Sequence, residues 1–119
     1  SYQHECVVLA NGQVQCWGYN GSGQLGDGTT TLRSTPVTVV DTSSAVLTGI
    51  TQVTLGHDHT CALKNNGTVW CWGYNGNGEL GDGTTSTRYF AAVVPNLYDV
   101  ISIGAGCPYV GEPGVTSTT

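Results

Sequence analysis

The chain has no methionine, a single phenylalanine and few charges in its 119 residues. Lys and Arg number 3 and Asp and Glu number 8, a net charge of −5. Nucleic-acid binders neutralise phosphates with clustered Lys and Arg, so nucleic acid is not expected as a partner. Anionic membrane surfaces attract polybasic segments, and none is present. No run approaches the roughly 20 apolar residues needed to span a bilayer, so no membrane insertion is expected. The opening residues, Ser1 to Cys6, lack the charged and then apolar segments of a secretory leader. If the protein is secreted, that leader has already been removed. No Cys-x-x-Cys pair occurs among the five cysteines, which speaks against the commonest zinc and thioredoxin-like patterns.

What is abundant is glycine, with 18 residues, alongside Thr, Ser, Asn and Val. Glycine marks turns, and Thr and Val suit strands, so the fold class expected is all-β. Four cysteines form two pairs at equal spacing, Cys6 with Cys16 and Cys61 with Cys71. This repetition reads as two local disulfides in an oxidising compartment, with Cys107 left over. An extracellular or cell-surface location is expected on that ground.

A shift of 55 residues overlays the sequence on itself. Cys16-Trp17-Gly18-Tyr19-Asn20-Gly21 recurs as Cys71-Trp72-Gly73-Tyr74-Asn75-Gly76, and Leu25 to Thr30 recurs as Leu80 to Thr85. Over residues 4–33 against 59–88, 19 of 30 positions are identical. Such self-similarity belongs to solenoids, propellers and arrays.

Each unit reads as short strands between turns. Cys6–Leu9 and Gln13–Trp17 flank Asn11-Gly12, and Cys61–Lys64 and Thr68–Trp72 flank Asn66-Gly67. A two-residue turn would set Cys6 opposite Trp17. A three-residue loop ending in a left-handed glycine would set Cys6 opposite Cys16, as a disulfide requires. If the cysteines are bonded, the longer loop is the better reading. Gly21 to Gly28 reads as a turn with one helical twist. Further strands are expected at Ser34–Val40, Ile50–Leu55, Tyr89–Val94 and Val100–Ile103, the last compared with Val53–Leu55. The organisation expected is a first repeat over 1–48, a second over 49–97, the opening strand of a third over 98–104, and a polar tail over 105–119.

The pattern running through Gly56 to Leu63, Asn66 to Thr85 and Arg88 resembles the repeats of the regulator of chromosome condensation family. The first unit departs from it with Glu5 in place of Thr and Val7-Val8 in place of Ala-Leu. The resemblance covers residues 1–104 and implies antiparallel four-stranded blades of a β-propeller. The cysteine pairs and low charge look like a secreted bacterial branch, not like the nucleotide-exchange factor that gave the family its name.

The phase of the repeat has a consequence. Ser1 aligns with Gly56, so unit one has no opening strand of its own, whereas unit three amounts to little else. Propellers usually hold 4–8 blades. Two arrangements accommodate this. A second copy donates the strand Val100, Ile101, Ser102, Ile103 to the sheet holding Cys6 and Cys16, giving a ring or a filament head to tail. Alternatively, these residues belong to a larger propeller.

His57-Asp58-His59 has a metal-binding look, but His59 recurs as His4, which favours a structural hydrogen bond at a strand start. Asp27-Gly28 and Asp82-Gly83 lack the several carboxylates of a calcium loop, and turn stabilisation is the better reading. No metal and no cofactor is expected. No catalytic grouping of Ser, His, Asp or Cys stands out, and no enzyme activity is expected. Cys107 precedes Pro108 and reads as an intermolecular disulfide partner or a buried bystander. Trp17, Trp70 and Trp72 read as packing between blades before a sugar platform. Asn20-Gly21-Ser22 and Asn66-Gly67-Thr68 are acceptor patterns for a covalent glycan, with Asn20 the better candidate because Asn66 occupies a tight turn. Thr116 to Thr119 could carry O-linked sugar. The function expected is an extracellular structural or interaction module that assembles with its own copies or with neighbouring blades. The alternative is a binding propeller of inhibitor or adhesin type.

Overall fold

The computed structural model describes residues 3–104, together with the backbone of 114–117. Cys107, Pro108, Thr118 and Thr119 lie outside the described residues. The strands are β1 (His4–Val8), β2 (Val14–Gly18), β3 (Arg33–Thr38), β4 (Ile50–Leu55), β5 (His59–Lys64), β6 (Val69–Gly73), β7 (Arg88–Val93), β8 (Val100–Gly104) and β9 (Gly114–Ser117). They form three sheets, β1-β2-β3, β4-β5-β6-β7 and β8-β9, antiparallel throughout. No helix occurs among the described residues. The Gly21 to Gly28 stretch is a chain of turns, with Gly23 N–H donating to Asn20 O and Gly26 N–H to Gly23 O. Glycines at φ +78° and +67° break any helical twist there.

Hairpin chemistry sets the register. Leu9 N–H donates to Gln13 O at 2.8 Å and Gly12 N–H to Leu9 O at 2.9 Å. The loop is therefore Ala10-Asn11-Gly12, closed by Gly12 at φ +84°. This three-residue loop places Cys6 opposite Cys16, and its counterpart places Cys61 opposite Cys71. Both pairs are disulfide-bonded, with Cα atoms 4.1 Å apart.

The first two sheets pack face to face. Val14, Cys16, Leu25, Val39 and Leu47 from one side meet Ile50, Ala62, Trp72 and Ala91 from the other, all at most 3% exposed. The opposite face of the second sheet carries Leu63, Val69, Cys71, Leu80 and Val94, which pack with Val100 and Ile103 of β8. The second sheet is thus buried on both faces, as a blade between two neighbours is, and β5 accordingly reads as a continuous buried run rather than an alternating one.

The third unit differs from expectation in two respects. Ile50 N–H donates to Gly12 O, and Val100 N–H donates to Gly67 O in the same way. Val100 therefore takes the place of Ile50, not of Val53. The repeat shortens from 55 to 50 residues because 6 residues (94–99) join β7 to β8, where 11 (39–49) join β3 to β4. In addition, residues 105–119 are not simply a tail. β9 pairs with β8 through Val100↔Ser117 and Ser102↔Thr116, repeating the irregular register of Ile50↔Lys64 and Gln52↔Leu63. The strand Val100, Ile101, Ser102, Ile103 is therefore paired in its own chain, not offered free to a second copy: an open ladder edge takes the nearest segment that satisfies it.

Candidate functional site

The most densely bonded region is the junction between the first two sheets and the long loops beside it. After β2 and again after β6 the chain leaves the sheet at Gly18 or Gly73, with φ near +107° and +104°. A side chain at Gly18 would meet Gln3 O at 2.5 Å, so only glycine lets the two chain segments pass. The loops that follow are organised by a buried asparagine. Asn20, 0% exposed, donates through Nδ2 to Thr29 O at 3.0 Å, Thr31 O at 3.1 Å and Asp27 Oδ1 at 3.3 Å, while its Oδ1 accepts Leu25 N–H at 3.0 Å. Asn75 repeats this with Thr84 O, Ser86 O, Asp82 Oδ1 and Leu80 N–H. The loop is thereby closed on itself by one amide.

Asp27 and Asp82 complete the loops. Each accepts from a threonine hydroxyl and amide two residues on, and from an arginine, Arg33 or Arg88, at 3.2 Å. Burial opposes ionisation of both carboxyls, but the hydrogen bonds from Thr29 or Thr84, from the asparagine and from the arginine outweigh it and hold them below the usual range. These aspartates are turn stabilisers.

The junction itself joins the sheets through polar contacts in an apolar setting. His4 Nε2 and Thr60 Oγ1 lie 2.8 Å apart. The Gln24 carbonyl accepts the Thr60 hydroxyl at 2.9 Å and the Trp72 indole N–H at 2.7 Å. Gln24 Nε2 reaches Asp58 Oδ1 at 3.5 Å. Burial, with the nearby His59 as a second cause, pushes the His4 pKa down to about 4, so its ring is neutral at pH 7.

The His57-Asp58-His59 run does not converge. His57 bonds Asp58 at the surface at 3.1 Å, whereas His59 is buried at 2% exposure. No group of three or more metal-ligating side chains occurs among the described residues. Trp72 is wholly buried and Trp70 half-buried, its ring 5.3 Å from the Lys64 ammonium. Trp17 points away from the shared core on the strand where Cys16 points into it.

The two acceptor asparagines change places in rank. Asn20 has its side-chain nitrogen spent on loop closure inside the protein, so a glycan there is incompatible with the fold. Asn66 is exposed at the hairpin tip, where its Oδ1 accepts from Thr68 N–H and Oγ1–H. Sequence reasoning missed the asparagine hub and the Gln24 carbonyl. The recurrence of Asn20 as Asn75 before a glycine-rich loop was the available signal for the first. A main-chain acceptor such as Gln24 O leaves no signal in residue type.

Stacked antiparallel sheets joined through a buried polar junction, each followed by the same asparagine-closed loop, define a protein of β-propeller blades. The regulator of chromosome condensation (RCC1) repeat model matches residues 11–63 and 66–110, and a second model of that repeat matches 50–79. The chain belongs to the RCC1 repeat family. It is 30% identical to the protein RCC2 homolog of Danio rerio over 108 residues, 89% of this chain and 21% of that protein. In fold it is similar to human WBSCR16, with TM-score 0.74 and 23% identity over 87% of this chain and 26% of that one. Yeast RCC1 (Prp20), solved bound to Kap60, gives TM-score 0.67 and 22% identity over 87% of this chain and 24% of that one. The chain thus spans about a quarter or less of each of these relatives.

Proposed function

We propose that these residues form adjacent blades of an extracellular RCC1-type propeller that works by binding protein and not by catalysis. The observation that carries the reading is the pair of disulfides at equivalent places, Cys6–Cys16 and Cys61–Cys71. Such bonds form and persist in oxidising compartments and are rare in the cytosol. Support for protein binding comes from the yeast relative, which was solved with a protein partner. Where a histidine and a hydroxyl do meet, at His4 Nε2 and Thr60 Oγ1, both are buried and the hydroxyl donates to the Gln24 carbonyl, so the pair serves the junction and not a substrate. The sheets stack on further blades, supplied by the same propeller or by copies of the chain, and the exposed loops grip the partner. Asn66 is the acceptor for a covalent glycan.

Non-reducing peptide mapping of native material tests the location. Both disulfides should be recovered, and free thiols at all four positions would overturn the extracellular reading. Reproducible hydrolase or transferase turnover that vanished on replacing His57, Asp58 or His59 would overturn the non-catalytic one.

A further inference from the structure

Four asparagines precede a glycine: Asn11, Asn20, Asn66 and Asn75. In such a pair the glycine nitrogen can attack the asparagine side chain, because no Cβ shields it. The fold separates the four. Asn20 and Asn75 are 0% exposed, and each amide is bonded at both ends to its own loop, so neither side-chain carbonyl is open to attack. Asn11 and Asn66 stand exposed at the two hairpin tips.

The tips are matched in backbone. The glycine N–H donates back to Leu9 O at 2.9 Å or to Lys64 O at 3.0 Å, and the glycine carbonyl accepts from Ile50 N–H or Val100 N–H. In both, the asparagine Oδ1 accepts the N–H two residues on at 3.1 Å, which folds the side chain back over the glycine peptide. They differ in the side chains beside that oxygen. In the second tip the Thr68 hydroxyl also donates to Asn66 Oδ1, at 2.6 Å, and itself accepts the Trp70 indole N–H at 3.1 Å. A donor polarised by a second donor is a stronger one. The first tip has Gln13 and Gln15 at these places, with no hydroxyl to offer Asn11.

We propose that Asn66 is a self-modifying site, converted through a cyclic imide to aspartate and isoaspartate, with Thr68 stabilising the oxyanion. Hydroxide takes the Gly67 amide proton. The Gly67 nitrogen bonds to Asn66 Cγ, and the negative charge passes to Oδ1, where the Thr68 hydroxyl and amide already point. The Cγ–Nδ2 bond then breaks, the side-chain nitrogen leaves as ammonia with a proton from water, and hydroxide is regenerated. Water opens the five-membered ring at either carbonyl. Opening at the main-chain carbonyl leaves the chain running through Cγ, one methylene longer. The loop so lengthened is the one that sets Cys61 opposite Cys71 and holds Gly67 O against Val100 N–H at 3.1 Å, so the hold of the second unit on β8 slackens with age.

The inference goes beyond the proposed function and holds wherever the protein resides. The intact chain, made without glycan, is kept at mildly alkaline pH, and peptide mapping follows the mass increase and the isoaspartate at each of the four asparagines. Asn66 should react first, at least about threefold faster than Asn11. That falls well short of the roughly hundredfold an oxyanion donor gives in a closed site, since this one faces water. Asn20 and Asn75 should stay intact. Thr68→Val keeps a branched strand residue and its N–H while removing the hydroxyl, and should bring Asn66 down to the rate of Asn11. Gln13→Thr should raise Asn11 toward Asn66 without touching the second unit. In concentrated urea with the disulfides reduced, the four rates should converge. Equal rates at the two tips of the folded chain, a native rate at Asn66 in Thr68→Val, modification of Asn20 or Asn75 ahead of the tips, or an order that survives in urea overturns the proposal.

Discussion

The indole N–H of Trp72, in the second sheet, donates to the main-chain carbonyl of Gln24, in a turn of the first, at 2.7 Å. Trp72 is also wholly buried in the core that the sheets share. Trp72→Phe keeps most of the packing and removes the donor, leaving the carbonyl to Thr60 alone. It should cost about 1–2 kcal/mol. Trp72→Ala should cost about 3–5 kcal/mol. Urea unfolding followed by far-ultraviolet dichroism measures both. Equal losses for the two variants would show that the packing adds nothing beyond the bond.

Asn20 closes its loop with bonds to Thr29 O, Thr31 O and Asp27, and receives Leu25 N–H. Asn20→Ala strands these groups in a buried site and should cost about 2–4 kcal/mol. Asn20→Asp should do at least as much harm, since it turns a donor into an acceptor facing two carbonyls and a carboxylate. Amide hydrogen exchange at Leu25 localises the effect. Protection unchanged in either variant would remove Asn20 from its role as the hub.

Glycosylation separates the two acceptor patterns. Secreted from a host that modifies Asn-x-Ser/Thr, the chain should carry a single glycan by intact mass. Asn66→Gln should remove it, whereas Ser22→Ala, which destroys the pattern at Asn20 and spares the asparagine, should leave the mass of the glycan unchanged. The opposite pair of results would mean that the loop around Asn20 opens in the folded protein.

Acid should loosen the junction. His4 titrates near 4 in the folded chain against 6.5 in a free chain, so the unfolded state takes up the proton first. Stability should fall as the pH drops below about 6.5 and continue to fall to about 4, by up to about 3 kcal/mol. Below that range the lowered carboxyls of Asp27 and Asp82 add a loss of the same sign. Urea midpoints at pH 7.5 and 4.5 check this, and His4→Gln should shrink the difference without abolishing it, because burial lowers the pKa of His59 as well. Identical midpoints for the native chain would contradict it.

Much of this architecture is legible in the residues, and the remainder is hidden for physical reasons. The spacing of Cys6 and Cys16 across Asn11-Gly12 is enough to choose the three-residue loop, because only that loop sets the two sulfurs opposite each other. The glycan acceptor is not legible, since Asn20-Gly21-Ser22 reads the same whether its amide faces water or closes a loop. β9 is invisible for another reason. Gly114 to Ser117 has little strand character next to Pro113, and its pairing comes from the open edge of β8. His59 is recognisable as a structural histidine from its recurrence at His4, but its burial, at 2% exposure, appears only in space.

The contact of a hairpin tip with the next unit, Gly12 O to Ile50 N–H and Gly67 O to Val100 N–H, works as an index mark. It fixes where each unit begins however long the chain between strands becomes. The five additional residues between β3 and β4 are absorbed in a turn around Asp41 to Ala45, whose neighbour Val40 is tied back to Ala91 N–H, and β4 keeps its place against the hairpin tip. Length can therefore vary at that outer connection while angular position is conserved, and a peptide tag placed between Ser43 and Ser44 should be carried at the rim without disturbing either sheet.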